Sequence, residues 1–366
     1  MTGTLRELLT RHIDAGLMPG AVALLGGPEA EPVVIGSSSV GGPPMTLDAI
    51  VRIQSMTKIV TTVAALRLVQ AGRLALDDDV LRWLPELANC PVLTEPGAAL
   101  DDTVPRKSPI TLRHLLTNTS GFGIQMRDTP LARAMQDNET EAGPAPSPLG
   151  ADEWLARMAQ LPLAFAPGAG WRYHHGFAIL GILISRIIGR PLQDHLHDDL
   201  IGPLDMPDTG LWVPADQCHR LTAAYRYEDG SLIETEPAAG GPYAGQPAVD
   251  VSHGELVSTL TDFHRFLRAI PTIVSTEHLE LLTHDQVPDS IKTDDSFYPG
   301  FWPQTGWGFG VSVVTGGDHI GRFGWSGGQG TDFFVDPDGT IGILLTQTEL
   351  GEATFALLSE FQELSP

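Results

Sequence analysis

The stretch Ser55-Met56-Thr57-Lys58 sets a serine and a lysine three residues apart at the head of an apolar run, Ile59 to Ala71, that ends at Gly72. Apolar residues crowd most faces of that run, which predicts a buried helix stopped at Gly72. Positions i and i+3 share a helix face. Ser55 and Lys58 are therefore expected to point into one space at the first turn of the helix. A serine hydroxyl is a weak nucleophile until a neighbouring base takes its proton. A lysine amine can be that base where burial disfavours its charged form. The helix N-terminus favours an anionic oxygen, and its free N–H groups can hold a developing oxyanion. Ser-x-x-Lys is a short pattern, but lysine is scarce here. Lys58, Lys107 and Lys292 are the only ones, and neither of the others follows a serine at that spacing.

Other stretches carry chemistry of their own. Pro167 to His175 (PGAGWRYHH) places Tyr173 just before a second apolar run. A phenol can act as a general base if a nearby cation stabilises its phenolate, and Lys58 is the candidate cation; the bland reading is a packed core tyrosine. Gly324-Trp325-Ser326-Gly327-Gly328 matches Gly-x-Ser-x-Gly, the nucleophile elbow of α/β-hydrolases, and makes Ser326 a rival nucleophile. That elbow needs a histidine after the serine and a helix directly behind it. No histidine follows His319, and Thr331 to Val335 reads as a strand. His195-Leu196-His197-Asp198-Asp199 has a metal-like composition but not a metal-type spacing, and is expected to be a solvated helix end. No metal and no cofactor is expected. His253 and His319 take no assignable role.

These groups need a frame. Leu5, Leu8, Leu9, Ile13 and Leu17 have helical spacing. Gly20 to Gly26 and Val33 to Ser37 read as strands. From Ser55 to about residue 300 the signals are mostly helices and loops: Asp152 to Leu161, Gly176 to Ile188 and Asp262 to Ile270 as helices, and the segments 126–149, 235–254 and 286–305 as loops walling a pocket. Gly306 to Thr315, Gly321 to Phe323, Thr331 to Val335 and Thr340 to Thr346 then read as strands, with Asp336-Pro337-Asp338-Gly339 as a hairpin turn. Glu352 to Leu364 closes as a helix. Strands at both ends around a helical middle imply an α+β chain: a discontinuous sheet domain, 1–60 with 301–366, and a mostly helical domain, 61–300, with the site between them.

The 366 residues, 42% hydrophobic and 18% charged, are those of a globular protein. A formal net charge of −23 argues against nucleic acid and anionic membrane surfaces as partners. Cys90 and Cys218 are the only cysteines, so no disulfide framework is implied. No apolar signal core stands at the N-terminus and no run reaches membrane-spanning length, which gives the expectation of a soluble, cytoplasmic protein.

In this order, several stretches resemble the serine β-lactamase and penicillin-binding protein superfamily, its class C-like branch, and within it the family VIII carboxylesterases. They are Arg52 to Lys58, Leu115 to Gly121, Pro167-Gly168 ahead of Trp171-Arg172-Tyr173, Gly202 to Met206, Leu256 to Thr259, and Gly324 to Gly330. The resemblance implies a β-lactamase/transpeptidase-like fold, an antiparallel sheet flanked by terminal helices with an inserted helical domain. It implies Ser55 as the acylated nucleophile, Lys58 as its proton partner and Tyr173 as general base. The backbone N–H groups of Ser55 and Gly328 would form an oxyanion hole, and Trp325, Ser326 and Gly327 would face substrate in place of Lys-Thr-Gly. His175 stands where the family has a substrate-binding Asn. Trp325 replaces the cation that holds a β-lactam carboxylate, which argues for neutral esters. Glu255 stands where small glycines are usual, and nothing in the sequence accounts for it.

The expected function is a serine hydrolase that cleaves small-molecule carboxylic esters through a Ser55 acyl-enzyme. A β-lactamase, a D-amino-acid peptidase or amidase, and an acyltransferase are alternatives on the same fold. A catalytically silent acyl-binding protein is a further one. The oligomeric state is left open.

Overall fold

The computed structural model describes residues 4–364. Its centre is a seven-stranded antiparallel sheet. The strands are β1 (Gly20–Gly26), β2 (Val33–Gly36), β3 (Thr305–Trp307), β4 (Ser312–Val314), β5 (Phe323–Gly327), β6 (Thr331–Val335) and β7 (Ile341–Leu345). Their spatial order is β2-β1-β7-β6-β5-β4-β3. The two ends of the chain meet where β1 pairs with β7, from Val22 opposite Leu345 to Gly26 opposite Ile341.

Alternation along the strands gives the sheet two apolar faces. Ala21, Ala23, Phe334 and Leu344 pack under two helices, α1 (Leu5–Asp14) and α5 (Glu352–Gln362), through Leu8, Leu9, Leu357, Leu358 and Phe361. Val22, Leu24, Phe333, Ile343 and Leu345 turn the other way, into the larger core. That core holds α2 (Thr57–Gln70), α3 (His175–Ile188) and α4 (Leu260–Ile273). α3 is apolar on nearly every face and buried from His175 to Ile184, and Gly189 ends it in a left-handed cap at φ 77°. The expected antiparallel sheet flanked by terminal helices is therefore present. A division at residue 60 would fall inside α2, which runs unbroken from Thr57 to Gln70.

The hairpin expected at Asp336–Gly339 joins β6 to β7; Asp336 N–H donates to the Thr340 carbonyl at 2.9 Å, and Gly339 takes φ 88°. The single strand expected over Gly306–Thr315 is instead the hairpin β3–β4. The chain turns where Gly308 N–H donates to the Val311 carbonyl at 2.9 Å and Gly310 takes φ 80°. A further hairpin, Ala224–Glu228 with Ser231–Glu236, was not expected from the sequence. It turns at Asp229 and Gly230, both at positive φ, the usual chemistry of a two-residue hairpin.

Candidate active site

Ser55 lies in a short 3-10 turn, Gln54–Met56, that runs directly into α2, one step earlier than the helical turn expected for it. The strand before it, Val51–Arg52, pairs with Val257–Ser258. Two more bonds stitch these segments together. Ile53 N–H donates to the Leu256 carbonyl at 3.0 Å, and Leu256 N–H donates to Thr57 Oγ1 at 2.8 Å. Between them Gln54 takes a left-handed φ of 49°, a conformation that non-glycine residues rarely adopt and that clusters at functional turns.

The side chains gather around the Ser55 hydroxyl. Lys58, 2% exposed, donates from Nζ to Ser55 Oγ at 3.0 Å and to Glu255 Oε1 at 3.0 Å. Ser55 Oγ donates to the same Glu255 oxygen at 3.4 Å. The Lys58 ammonium also sits 4.8 Å from the centroid of the Tyr173 ring. Ser55, Tyr173, His174, Glu255 and Gly328 line one open cleft of about 300 Å³, with Ile124, Gly143, Pro144 and Leu350 as its less polar wall.

Charge at this cluster differs from the sequence expectation. Burial disfavours the Lys58 ammonium, but the Glu255 carboxylate and then Tyr173 outweigh it, and the Lys58 pKa is raised. Burial also raises the Tyr173 pKa, even though the Lys58 charge and hydrogen bonds with Ser55 and Trp325 pull it down. Lys58 therefore rests as an ammonium and Tyr173 as a phenol. Glu255 beside it keeps Lys58 from becoming a free amine and makes it the cation expected next to Tyr173, but the phenolate expected of Tyr173 is not its resting form.

Strand β5 supplies the other side of the site. Trp325 Nε1 donates to the Tyr173 hydroxyl at 2.5 Å, and its ring meets Trp307 edge-on at 4.7 Å between centroids. Ser326, next along β5, points to the opposite face, where its hydroxyl donates to Asp332 Oδ1 at 2.8 Å. It is neither the rival nucleophile nor the substrate-facing hydroxyl expected, because alternation along the strand turns it away from the face on which Trp325 meets Tyr173. Gly327 faces the nucleophile turn at close range; a Cβ there would lie 2.5 Å from the Ile53 carbonyl oxygen. It is a packing glycine and not a substrate contact. Gly328 borders the cleft with Ser55.

A model of the Beta-lactamase family matches residues 5–362. The chain belongs to the Beta-lactamase family. Protein Rv1367c of Mycobacterium tuberculosis is 35% identical over 353 residues, which cover 90% of this chain and 86% of that protein. Esterase EstB of Burkholderia gladioli is 30% identical over 329 residues, 84% of this chain and 79% of that protein. Among solved structures, the hydrolase EstCE1 superposes with a TM-score of 0.80 at 23% identity, over 98% of this chain and 96% of that one, and establishes the shared fold. This member of the Beta-lactamase family thus sits in a serine hydrolase superfamily with esterase relatives.

Two histidines divide the expected role of one. His175 is fully buried, and its Nε2 pairs with the Thr140 carbonyl at 2.8 Å. It does not line the Ser55 cleft; it lines the neighbouring cleft behind the segment 140–147. Burial holds its pKa down at about 4, so the ring is neutral. The cause is local. His174 turns the chain through φ 88° before α3 begins, which carries His175 into the core and leaves His174 at the cleft. His174 and Glu255 are the site residues that sequence reasoning missed. His174 had no signal beyond its neighbour Tyr173. Glu255 had one, as a charged residue where a small one is usual in a Beta-lactamase family chain.

His195 and His197 do not converge on a site. His197 pairs with Asp198, and Asp199 with Arg67. Among the described residues no group of three or more His, Cys, Asp or Glu side chains could hold a metal ion. Among them also, no single helix is long and apolar enough to cross a membrane.

Proposed function

We propose that the protein is a serine carboxylesterase, with Ser55 as the acylated nucleophile and Lys58 and Tyr173 as its proton-transfer pair. The observation that carries this reading is Lys58 Nζ at 3.0 Å from Ser55 Oγ, directly behind a cleft that Ser55 and Tyr173 both line. As Ser55 Oγ attacks the ester carbonyl its proton passes into the hydrogen-bonded cluster around Lys58, and the backbone N–H groups of Ser55 and Gly328 hold the oxyanion. The alcohol leaves with a proton delivered through Lys58 or Tyr173. Water then releases the acid from Ser55 by the same route.

The substrate is a small neutral ester. Trp325 takes the place where a β-lactamase carries a cation for the substrate carboxylate, and its indole N–H is already committed to Tyr173. The Trp325 ring itself packs against Phe297 and Phe301. Transfer of the acyl group to an alcohol is the second reading, because Ser55 stands in an open cleft that admits an acceptor other than water.

The test is hydrolysis of a short-chain p-nitrophenyl ester by wild type and by Ser55→Ala. Turnover by wild type alone is expected. Equal turnover by both would remove Ser55 from the mechanism. No turnover by either would turn attention to amide substrates or to an acyl-binding role.

A further inference from the structure

We infer that Glu255 is a catalytic residue of this site: its carboxylate is the terminal acceptor of the Ser55 proton. The inference rests on the esterase reading above and reassigns one step of it: Glu255, in place of Lys58 or Tyr173, takes the Ser55 proton, and Lys58 stays as the relay. Three groups could take that proton. Lys58 carries one already, because Glu255 holds it as an ammonium. Tyr173 keeps its own, because its ring is buried. The third is Glu255 Oε1, and the Ser55 hydroxyl donates directly to it at 3.4 Å. Lys58 Nζ lies 3.0 Å from both oxygens, so it bridges donor and acceptor and steadies the negative charge at either end.

The backbone fixes this arrangement. Glu255 precedes Leu256, whose N–H and carbonyl are both bonded to the nucleophile segment, through Thr57 Oγ1 and Ile53 N. Val257 and Ser258 then pair with Arg52 and Val51. The segment that carries the carboxylate is thus clamped to the segment that carries the hydroxyl, which is how a base is held within reach of the proton it abstracts. The Glu255 side chain is 18% exposed, so it borders the cleft where an acceptor molecule must arrive.

The steps balance. As Ser55 Oγ bonds to the ester carbon, its proton passes to Glu255 and the carbonyl electron pair moves onto oxygen. Collapse expels the alkoxide, which takes that proton back, relayed by the Lys58 ammonium, and leaves as an alcohol. Glu255 is again a carboxylate. It then takes a proton from water as the water oxygen attacks the acyl carbon, and returns it to Ser55 Oγ as the acid leaves.

The test uses the full chain with p-nitrophenyl acetate and two variants, Glu255→Gln and Glu255→Gly. A lost general base predicts a fall in kcat of about 100-fold or more in each. In Glu255→Gly, added chloroacetate, formate and acetate are expected to restore turnover, and more so with rising basicity of the carboxylate. A kcat within about twofold of wild type in the Gln variant overturns the assignment, and it decides alone if the Gly variant does not fold. Rescue independent of basicity also overturns it, because Glu255 would then only neutralise Lys58. Turnover of the same ester by Ser55→Ala tests the esterase reading separately. Turnover there at the wild-type rate would sink that reading, whereas active Glu255 variants would sink only the role of Glu255.

Discussion

Trp325 and Tyr173, 152 residues apart in sequence, are joined by a hydrogen bond of 2.5 Å from the indole N–H to the phenol oxygen. The bond ties strand β5 to the segment ahead of α3 and aims the Tyr173 hydroxyl. Trp325→Phe keeps an aromatic ring and removes the donor. A net hydrogen bond is worth about 0.5–1.5 kcal/mol, so kcat/KM for a p-nitrophenyl ester should fall roughly 2- to 10-fold with little change in melting temperature. A larger loss in melting temperature than in kcat/KM would make the bond structural.

Gly327 allows the sheet to approach the nucleophile turn. A Cβ at this position would lie 2.2 Å from Thr331 Oγ1 as well as 2.5 Å from the Ile53 carbonyl oxygen. Gly327→Ala should cost about 1–3 kcal/mol in urea unfolding and lower turnover, because the strand edge must retreat from Ser55. Unchanged stability would show that the edge yields freely.

Asp332 gives a pH dependence of stability. Burial pushes its carboxyl up to about 6, against hydrogen bonds from Gln362 and Ser326 and the Arg322 charge. In the window from about 4 to about 6 the folded protein holds a proton that the unfolded chain has released. Stability from this group is therefore full at the acidic end and falls as pH rises to about 6, by at most roughly 3 kcal/mol. Asp332→Asn should lose that dependence, so its unfolding free energy relative to wild type rises across the window. Parallel pH–stability curves for the two proteins would contradict the assignment.

His175 works in the opposite sense. Its pKa is lowered to about 4, so the folded state binds fewer protons than the unfolded chain below about 6.5. Stability from this group is present at neutral pH and is lost as pH falls toward 4. His175→Asn cannot keep the bond to Thr140 and should cost about 1–3 kcal/mol. The shape of the pH–rate profile above about pH 5 should not change, since the ring does not titrate there. A shifted profile would place His175 in the chemistry.

The local part of the site was legible in the sequence. Ser55 and Lys58 are three residues apart at a helix start, and their spacing alone predicts their contact. Asp336–Gly339 was legible for the same reason, because turn chemistry is local. Asp229-Gly230 carried an equal signal that the helical surroundings obscured. The rest needs the tertiary fold. Lys58 and Glu255 are 197 residues apart, and only the pairing of Val51–Arg52 with Val257–Ser258 brings them together. The direction of Ser326 follows from the face that Trp325 takes, and that face is set by packing on Trp307 and Tyr173. His175 turned inward because of one residue, His174, in a conformation that no propensity scale predicts.

The pairing of β1 with β7 sets a clock on biosynthesis. Gly20–Gly26 leaves the ribosome early, but its partner Ile341–Leu345 is made some 300 residues later. At ordinary translation speeds that is a wait of roughly 15 to 60 seconds, with one edge of an apolar strand unpaired. Loop closure over such a span is slow in any case. Gly327 and Gly328 are also late in the chain, so the nascent protein carries Ser55 and Lys58 long before it has the strand β5 that completes the cleft.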